Sequence, residues 1–131
     1  MMQTVVTPTD LRQLTRAWRK SDEKIALVPT MGNLHAGHLA LVKHAKTLTE
    51  RVMVSIFVNP TQFNRPDDLI NYPRTLERDC EFLQDVGCDA VFAPEVHTMY
   101  PTGGLATRII VPGISEILEG EKRPGHFTGV A

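Results

Sequence analysis

Three short runs, Ile25–Val28, Val52–Val58 and Asp89–Ala93, set the limits on what this chain can fold into. Each is close to continuously apolar rather than alternating. Such runs suit strands covered on both faces, the pattern of a parallel sheet. Between the first two, Leu39, Val42 and Ala45 repeat at helical spacing, with Leu41 and Leu48 beside them. Between the second and third, Leu76, Cys80 and Leu83 do the same. Asn59 and Pro60 stop the second run, Gly87 is placed to stop the second helix, and Pro94 ends the third run. Strand, helix, strand, helix, strand predicts a parallel sheet with right-handed crossovers.

The flanks are less regular. Thr7-Pro8-Thr9-Asp10 reads as a helix start of the capping-box kind, with Thr7 as N-cap, Pro8 at N1 and Asp10 at N3. Leu11, Leu14 and Trp18 then share a face, and polar residues 19–24 end that helix. "NPTQFNRPDDLINYPR" reads as a polar loop. Past Pro94, "EVHTMYPTGG" is turn-rich, and Thr107–Val111 is a β-branched run suited to a strand or an arm. "SEILEGEKRPGHFTGVA" gives one or two helical turns and then a loop. The expected fold class is a Rossmann-like, doubly wound α/β sheet, incomplete, with three core strands and a short arm in a single domain over residues 1–131. Sheets of this class usually carry about five or six strands. The sequence therefore reads as the N-terminal piece of something larger.

Composition narrows the function classes. The 131 residues are 42% hydrophobic and 22% charged, ordinary for a globular protein. With 14 basic and 15 acidic residues the net charge is −1, which argues against a duplex nucleic-acid binder. A phosphate-bearing small ligand needs only local positive charge and stays open. Cys80 and Cys88, with no CxxC, read as free thiols of a reducing compartment. The start, MMQTVVTPTDLRQ, shows no secretory pattern, and no apolar run approaches a membrane span. The expected address is the cytoplasm.

The densest chemistry lies in "PTMGNLHAGH", Pro29 to His38, directly after the first strand. Ligands of open α/β sheets bind at the carboxyl ends of strands. Helix N-termini attract phosphate through unpaired N–H groups and partial positive charge. Gly32 and Gly37 permit close backbone approach to a ligand. His35 and His38, three apart, share a face of the first turn. They could donate to phosphate oxygens and stabilise charge on a leaving pyrophosphate. Neither G-x-G-x-x-G nor a P-loop fits. G-x-L-H-x-G-H resembles the HxGH element of the nucleotidylyltransferase superfamily. The plainer alternative is a helix start with surface histidines. A zinc pair is opposed by the missing Glu of HExxH and the lack of completing ligands.

Three further elements join it. In "SIFVNPTQF", Asn59 and Gln62 can hydrogen-bond a small polar ligand without adding charge, or simply form a strand-ending turn. Asp79, in "YPRTLERDCEFL", could face the nucleotide site as a magnesium or lysine partner, or be a solvated helix charge. Lys122, Arg123 and His126, in "EGEKRPGHFTGV", form either a solvated basic loop or a pocket for an anionic substrate.

In this order and spacing, "VPTMGNLHAGH", "VSIFVNPTQF", "YPRTLERDC", "MYP" and "LEGEKRPGHFTGV" resemble the motifs of the pantothenate synthetase (pantoate–β-alanine ligase) family, over about Thr7 to Ala131. The resemblance implies a ligase of pantothenate biosynthesis, using ATP and Mg2+. Pantoate would be adenylated with release of pyrophosphate, and β-alanine would then displace AMP. Nucleotidyl transfer needs in-line positioning and charge stabilisation more than a protein nucleophile. The resemblance gives His38 the proton-donor role and makes His35 its phosphate-binding partner. It places ATP along Met31, Gly32, Asn33, Leu34, His35, Ala36, Gly37 and His38. It places pantoate and β-alanine at Gln62, with Pro29, Thr30, Met31, Asn59, Tyr72, Arg123 and His126 near them, and Asp79 at the metal. It also implies a homodimer.

The departure is in extent. The family's Gly-Glu-Lys-Asp loop, its Ser-Ser-Arg segment, two strands of its sheet and its C-terminal domain have no counterpart in these residues. The 131-residue chain alone is therefore expected to be inactive or very weak in ligation. The competing readings are another HxGH nucleotidylyltransferase and a non-catalytic pantoate-binding module.

Overall fold

A computed structural model describes residues 1–103 and 107–131. Along the chain come β1 (Gln3–Val5), α1 (Pro8–Lys20), β2 (Ile25–Thr30), α2 (Ala36–Leu48), β3 (Arg51–Ile56), a 3-10 turn (Pro60–Gln62), α3 (Pro66–Asn71), α4 (Leu76–Asp85), β4 (Ala90–Phe92), α5 (Val96–Met99), α6 (Glu119–Lys122) and α7 (His126–Val130). The residues expected as one domain divide into two compact units. One comprises Met1–Phe57 with Pro73–Glu95, the other Val58–Tyr72 with Val96–Ala131.

The first unit is a four-stranded, wholly parallel sheet in the order β1-β4-β3-β2. Side chains of a strand alternate between faces, and the core divides accordingly. Val28, Val52, Val54 and Val91 pack with Val42 and Ala45 of α2 and Leu83 of α4. Met53, Ala90 and Phe92 pack on the other face with Leu11, Leu14 and Trp18 of α1. Helices on both faces make the sheet doubly wound and Rossmann-like. β2, β3 and β4 are neighbours through α2 and α4, whereas α1 carries the chain from one edge strand to the other. The expected caps hold. The Thr7 hydroxyl accepts the Asp10 N–H at 3.2 Å and donates to its carboxylate at 2.8 Å. Gly87, at φ +81°, follows the last turn of α4.

Asp89 ties together the amino ends of the strands. It accepts from the Val52 N–H at 2.8 Å and from Lys46 at 3.0 Å, and it pairs with Arg51 at 3.3 Å. Arg51 also pairs with Glu23 and lies over the Trp18 ring.

Several expectations change. β1 joins the sheet, pairing Gln3 with Ala90 and Val5 with Phe92; its three residues are too few to show a pattern. β2 is not covered on both faces, because it is an edge strand and Leu27 is 60% exposed. In the second unit, part of the polar loop is the 3-10 turn and α3. Pro66 at N1 with Asp67 and Asp68 in the first turn is a helix start the apolar pattern does not reveal. The loop expected after α6 is instead another helix, α7. Thr107–Val111 forms no strand, so the arm is not found among the described residues. Gly104, part of the turn-rich stretch, lies outside them. No described helix is long and apolar enough to cross a membrane.

Candidate active site

The loop after β2 is built around a buried carboxylate. The Thr30 hydroxyl donates to the Ser55 carbonyl at 2.9 Å and accepts the Gly32 N–H at 3.1 Å, closing the carboxyl end of β2 against β3. Gly32 follows at φ +79°, where a Cβ would meet Ile56 at 3.0 Å and the Asp79 carboxylate at 3.1 Å. Glycine thus serves here to let α4 approach the loop. Asn33 is left-handed at φ 50°. The N–H groups of Asn33 and Leu34 both donate to Asp79, each at 2.9 Å. The Leu34 side chain turns into the core and is 3% exposed.

His35 is the N-cap of α2 and His38 is its N3 residue. The Nδ1 of His35 accepts the Gly37 N–H at 3.0 Å, and the Nδ1 of His38 accepts the His35 N–H at 3.2 Å. This is a capping box with imidazoles where Ser/Thr and Glu usually stand. A nitrogen that accepts carries no proton, so each neutral ring holds its proton on Nε2. His35 is exposed and His38 half-buried. Burial pushes the His38 pKa below its ordinary value, the nearby His35 lowers it further, and Asp79 partly opposes both. The site thus presents imidazole Nε2–H donors at the start of a helix.

The second unit builds its own polar cluster. Asn59 Oδ1 accepts from the Thr61 N–H at 3.1 Å, the Thr61 hydroxyl at 2.7 Å and the Tyr100 hydroxyl at 2.9 Å. Its Nδ2 donates to the Gly129 carbonyl at 3.1 Å. The Gln62 carbonyl accepts from Arg123 at 3.2 Å and from His126 Nδ1 at 2.8 Å. Tyr72 meets Phe63 edge-on at 5.7 Å. Among the described residues the Gln62 side-chain amide makes no hydrogen bond.

These motifs are those of one family. The family model described as pantoate-beta-alanine ligase matches residues 3–131. The chain belongs to the pantoate–β-alanine ligase family. A pantothenate synthetase of Xanthomonas euvesicatoria pv. vesicatoria is 54% identical over 131 residues, covering 99% of this chain and 47% of that protein. The crystal structure of pantothenate synthetase from Thermus thermophilus matches with a TM-score of 0.85 at 48% identity, covering 98% of this chain and 45% of that one. Pantoate-beta-alanine ligase from Francisella tularensis, solved with beta-gamma ATP and β-alanine, matches with a TM-score of 0.87 at 42% identity, covering 98% and 49%. The chain spans about half the length of the curated relatives it matches.

As a member of the pantoate–β-alanine ligase family, the chain gathers Pro29, Thr30, Met31, Gly32, Asn33, Leu34, His35, Ala36, Gly37 and His38 with Asp79 in its first unit. It gathers Asn59, Gln62, Tyr72, Arg123 and His126 in its second. Two residue readings change. Asp79 is not a solvated helix charge, and among the described residues nothing stands at its carboxylate but the loop and the start of α4. It is fully buried, and its oxygens take Asn33, Leu34 and the Thr75 hydroxyl, the last at 3.1 Å. Among the described residues no group of three or more His, Cys, Asp or Glu could hold a metal ion. Arg123 and His126 are half-buried and each gives one nitrogen to the Gln62 backbone carbonyl, so neither is a solvated loop charge. Sequence reasoning gives Thr61, Thr75, Tyr100 and Gly129 no bonding role, although each lies within one of the quoted motifs.

Proposed function

We propose that the protein adenylates pantoate with ATP and passes the pantoyl group to β-alanine, yielding pantothenate. A pantoate carboxylate oxygen attacks the α-phosphorus, and pyrophosphate leaves with the electron pair of the broken P–O bond. The amine of β-alanine then attacks the acyl carbon, AMP leaves with the electrons of the C–O bond, and the new amide sheds a proton. The observation that carries this reading is the pair of imidazole Nε2–H donors fixed by the His35–His38 capping box. Such donors stabilise charge developing on a departing pyrophosphate without reorganising. His38 is the proton donor and His35 its phosphate-binding partner. In this reading the strand-end loop binds ATP, and Gln62 contacts pantoate and β-alanine.

Magnesium enters with the substrate. Mg2+ is commonly held by substrate phosphates and water with few protein ligands, which agrees with an Asp79 that already accepts three hydrogen bonds. The same reading carries a homodimer, a cytoplasmic address, and no nucleic-acid or membrane partner.

The test is calorimetric titration of pantoate, and separately of ATP, into the folded chain. Saturable pantoate binding that weakens at least about tenfold in Gln62→Ala supports the reading, as does ATP binding lost in His38→Ala. A folded chain that binds nicotinate mononucleotide or phosphopantetheine instead of pantoate would assign it to another HxGH nucleotidylyltransferase. Pantoate binding with no ATP binding would leave a non-catalytic module.

A further inference from the structure

Asp79 is the only buried charged residue among those described, and it sits within bonding distance of the HxGH loop. The loop's N–H groups are the natural ligands for phosphate at the end of a strand. Here they are divided. Asn33 and Leu34 donate to Asp79, His35 to His38 Nδ1, Gly37 to His35 Nδ1, and Leu39 to the His35 carbonyl. The His38 N–H turns to the His35 side chain as the other half of the capping box, and the N–H group of Ala36 has no acceptor among the described residues. The carboxylate is itself held in place. Thr75, the N-cap residue of α4, donates its hydroxyl to Oδ2 at 3.1 Å, and Arg78 donates to the Asn33 side-chain oxygen at 3.2 Å. Gly32 leaves room for Oδ2, which a Cβ there would meet at 3.1 Å.

We propose that Asp79 is a positioning residue for the nucleotide site: its buried carboxylate takes the Asn33 and Leu34 N–H groups and so directs an ATP phosphate to the Ala36 N–H group and the histidine Nε2–H. The proposal rests on the nucleotide-binding reading above. The physical case is one of competition. A fixed acceptor satisfies the two N–H groups before any ligand arrives, and its negative charge disfavours a phosphate at that point of the loop. It also holds Leu34 in the core, which fixes where His35 begins α2. A phosphate is thereby confined to the helix start.

The experiment follows backbone N–H resonances of the isotopically labelled chain during titration with ATP. In the wild-type chain, hydrogen-bond scalar couplings from the Asn33 and Leu34 nitrogens to the Asp79 carboxylate carbon are expected both free and at saturation. The Ala36 amide should take the large shift. Asp79→Asn should retain the fold, exchange its Asn33 and Leu34 amide protons at least about tenfold faster, and bind ATP at least about tenfold more weakly. Asp79→Glu should restore part of the affinity. Loss of the wild-type couplings on ATP binding would overturn the proposal, since the amides would then have turned to phosphate. So would an Asp79→Asn chain that binds ATP as tightly as wild type. Should that variant fail to fold, the wild-type couplings at saturation decide alone. If the wild-type chain binds no ATP, the nucleotide-site reading fails and this inference with it; intact binding with unchanged variant affinity sinks only the inference.

Discussion

The His38 ring lies 4.0 Å from the His35 ring between centroids, and its Nδ1 accepts the His35 backbone N–H at 3.2 Å. The two side chains are therefore oriented by the backbone of their own turn, before any substrate is present. Both rings should show the Nε2–H tautomer in nitrogen-15 spectra at neutral pH. A protonated Nδ1 on either neutral ring would contradict the capping geometry. Replacing His38 by Gln, which offers a carbonyl oxygen to the His35 N–H, should keep α2 intact while weakening ATP binding.

The lowered His38 pKa has a sign that stability measurements can read. Burial and His35 favour the neutral ring in the folded state, so the unfolded chain, near the ordinary 6.5, binds the proton more readily. The contribution is therefore fully present above about pH 6.5. It is lost progressively as pH falls through the folded-state value, and becomes constant below it. Denaturant unfolding across this window should show falling stability on acidification. The slope should flatten in His38→Gln, which cannot titrate.

Gly37 separates stability from function. It carries no unusual φ, so alanine there is a better helix former by about 1 kcal/mol. Its Cβ would meet the His35 ring at 2.8 Å and 3.0 Å, and that ring can rotate away. Gly37→Ala should leave thermal stability within about 1 kcal/mol of wild type. It should displace His35 from its acceptor position and weaken ATP binding several-fold. Equal ATP affinity in the variant would show that the ring's placement is unimportant.

The sheet was legible because its central strands are apolar without interruption. Val52, Val54, Val91 and Ala90 are all at zero exposure, and a chain that buries both faces needs no alternation. β1 escaped because its strength lies in its partner. Gln3 and Thr4 are exposed, and only their bonding to β4 makes them a strand. The spacing of His35 and His38 was legible as a motif but not as a cap, since imidazoles seldom replace Ser and Glu in a capping box. Asp79 was legible as a residue of interest on helix spacing alone. Its role was not, because hydrogen bonds from residues 33 and 34 to residue 79 are set by the packing of α4 against the sheet. The Asn59 cluster was hidden for the same reason: Gly129 lies 70 residues away along the chain.

Asp89 should carry much of the stability of the sheet's amino ends. It bonds the Val52 N–H, Lys46 and Arg51 with most of its side chain shielded from water. Asp89→Ala leaves that N–H and Lys46 without their acceptor, and Arg51 with Glu23 alone. Partly buried charge-assisted bonds of this kind cost about 2–3 kcal/mol when one partner is removed. Urea unfolding should show a loss of that size, with ATP affinity of the surviving folded protein unchanged. A loss below about 0.5 kcal/mol would place the cluster with ordinary surface pairs.

Gly129 is a tight packing point of the second unit. A Cβ there would lie 2.0 Å from the Thr61 carbonyl oxygen and 2.7 Å from the Gln62 nitrogen, both backbone atoms that cannot step aside. Gly129→Ala must therefore lift α7 away from the 3-10 turn. The lift breaks the Asn59 bond to the Gly129 carbonyl and draws His126 from the Gln62 carbonyl. Overpacking of this kind costs about 1–3 kcal/mol. The variant should lose pantoate affinity through displaced Gln62, while the nitrogen-15 pattern of His35 and His38 stays unchanged. Asn59→Ala removes the acceptor of Thr61 and Tyr100 without adding bulk, so it should weaken pantoate binding by the same route. If both variants bind pantoate normally, Gln62 is not held by this cluster and the assignment of the substrate contact to it fails.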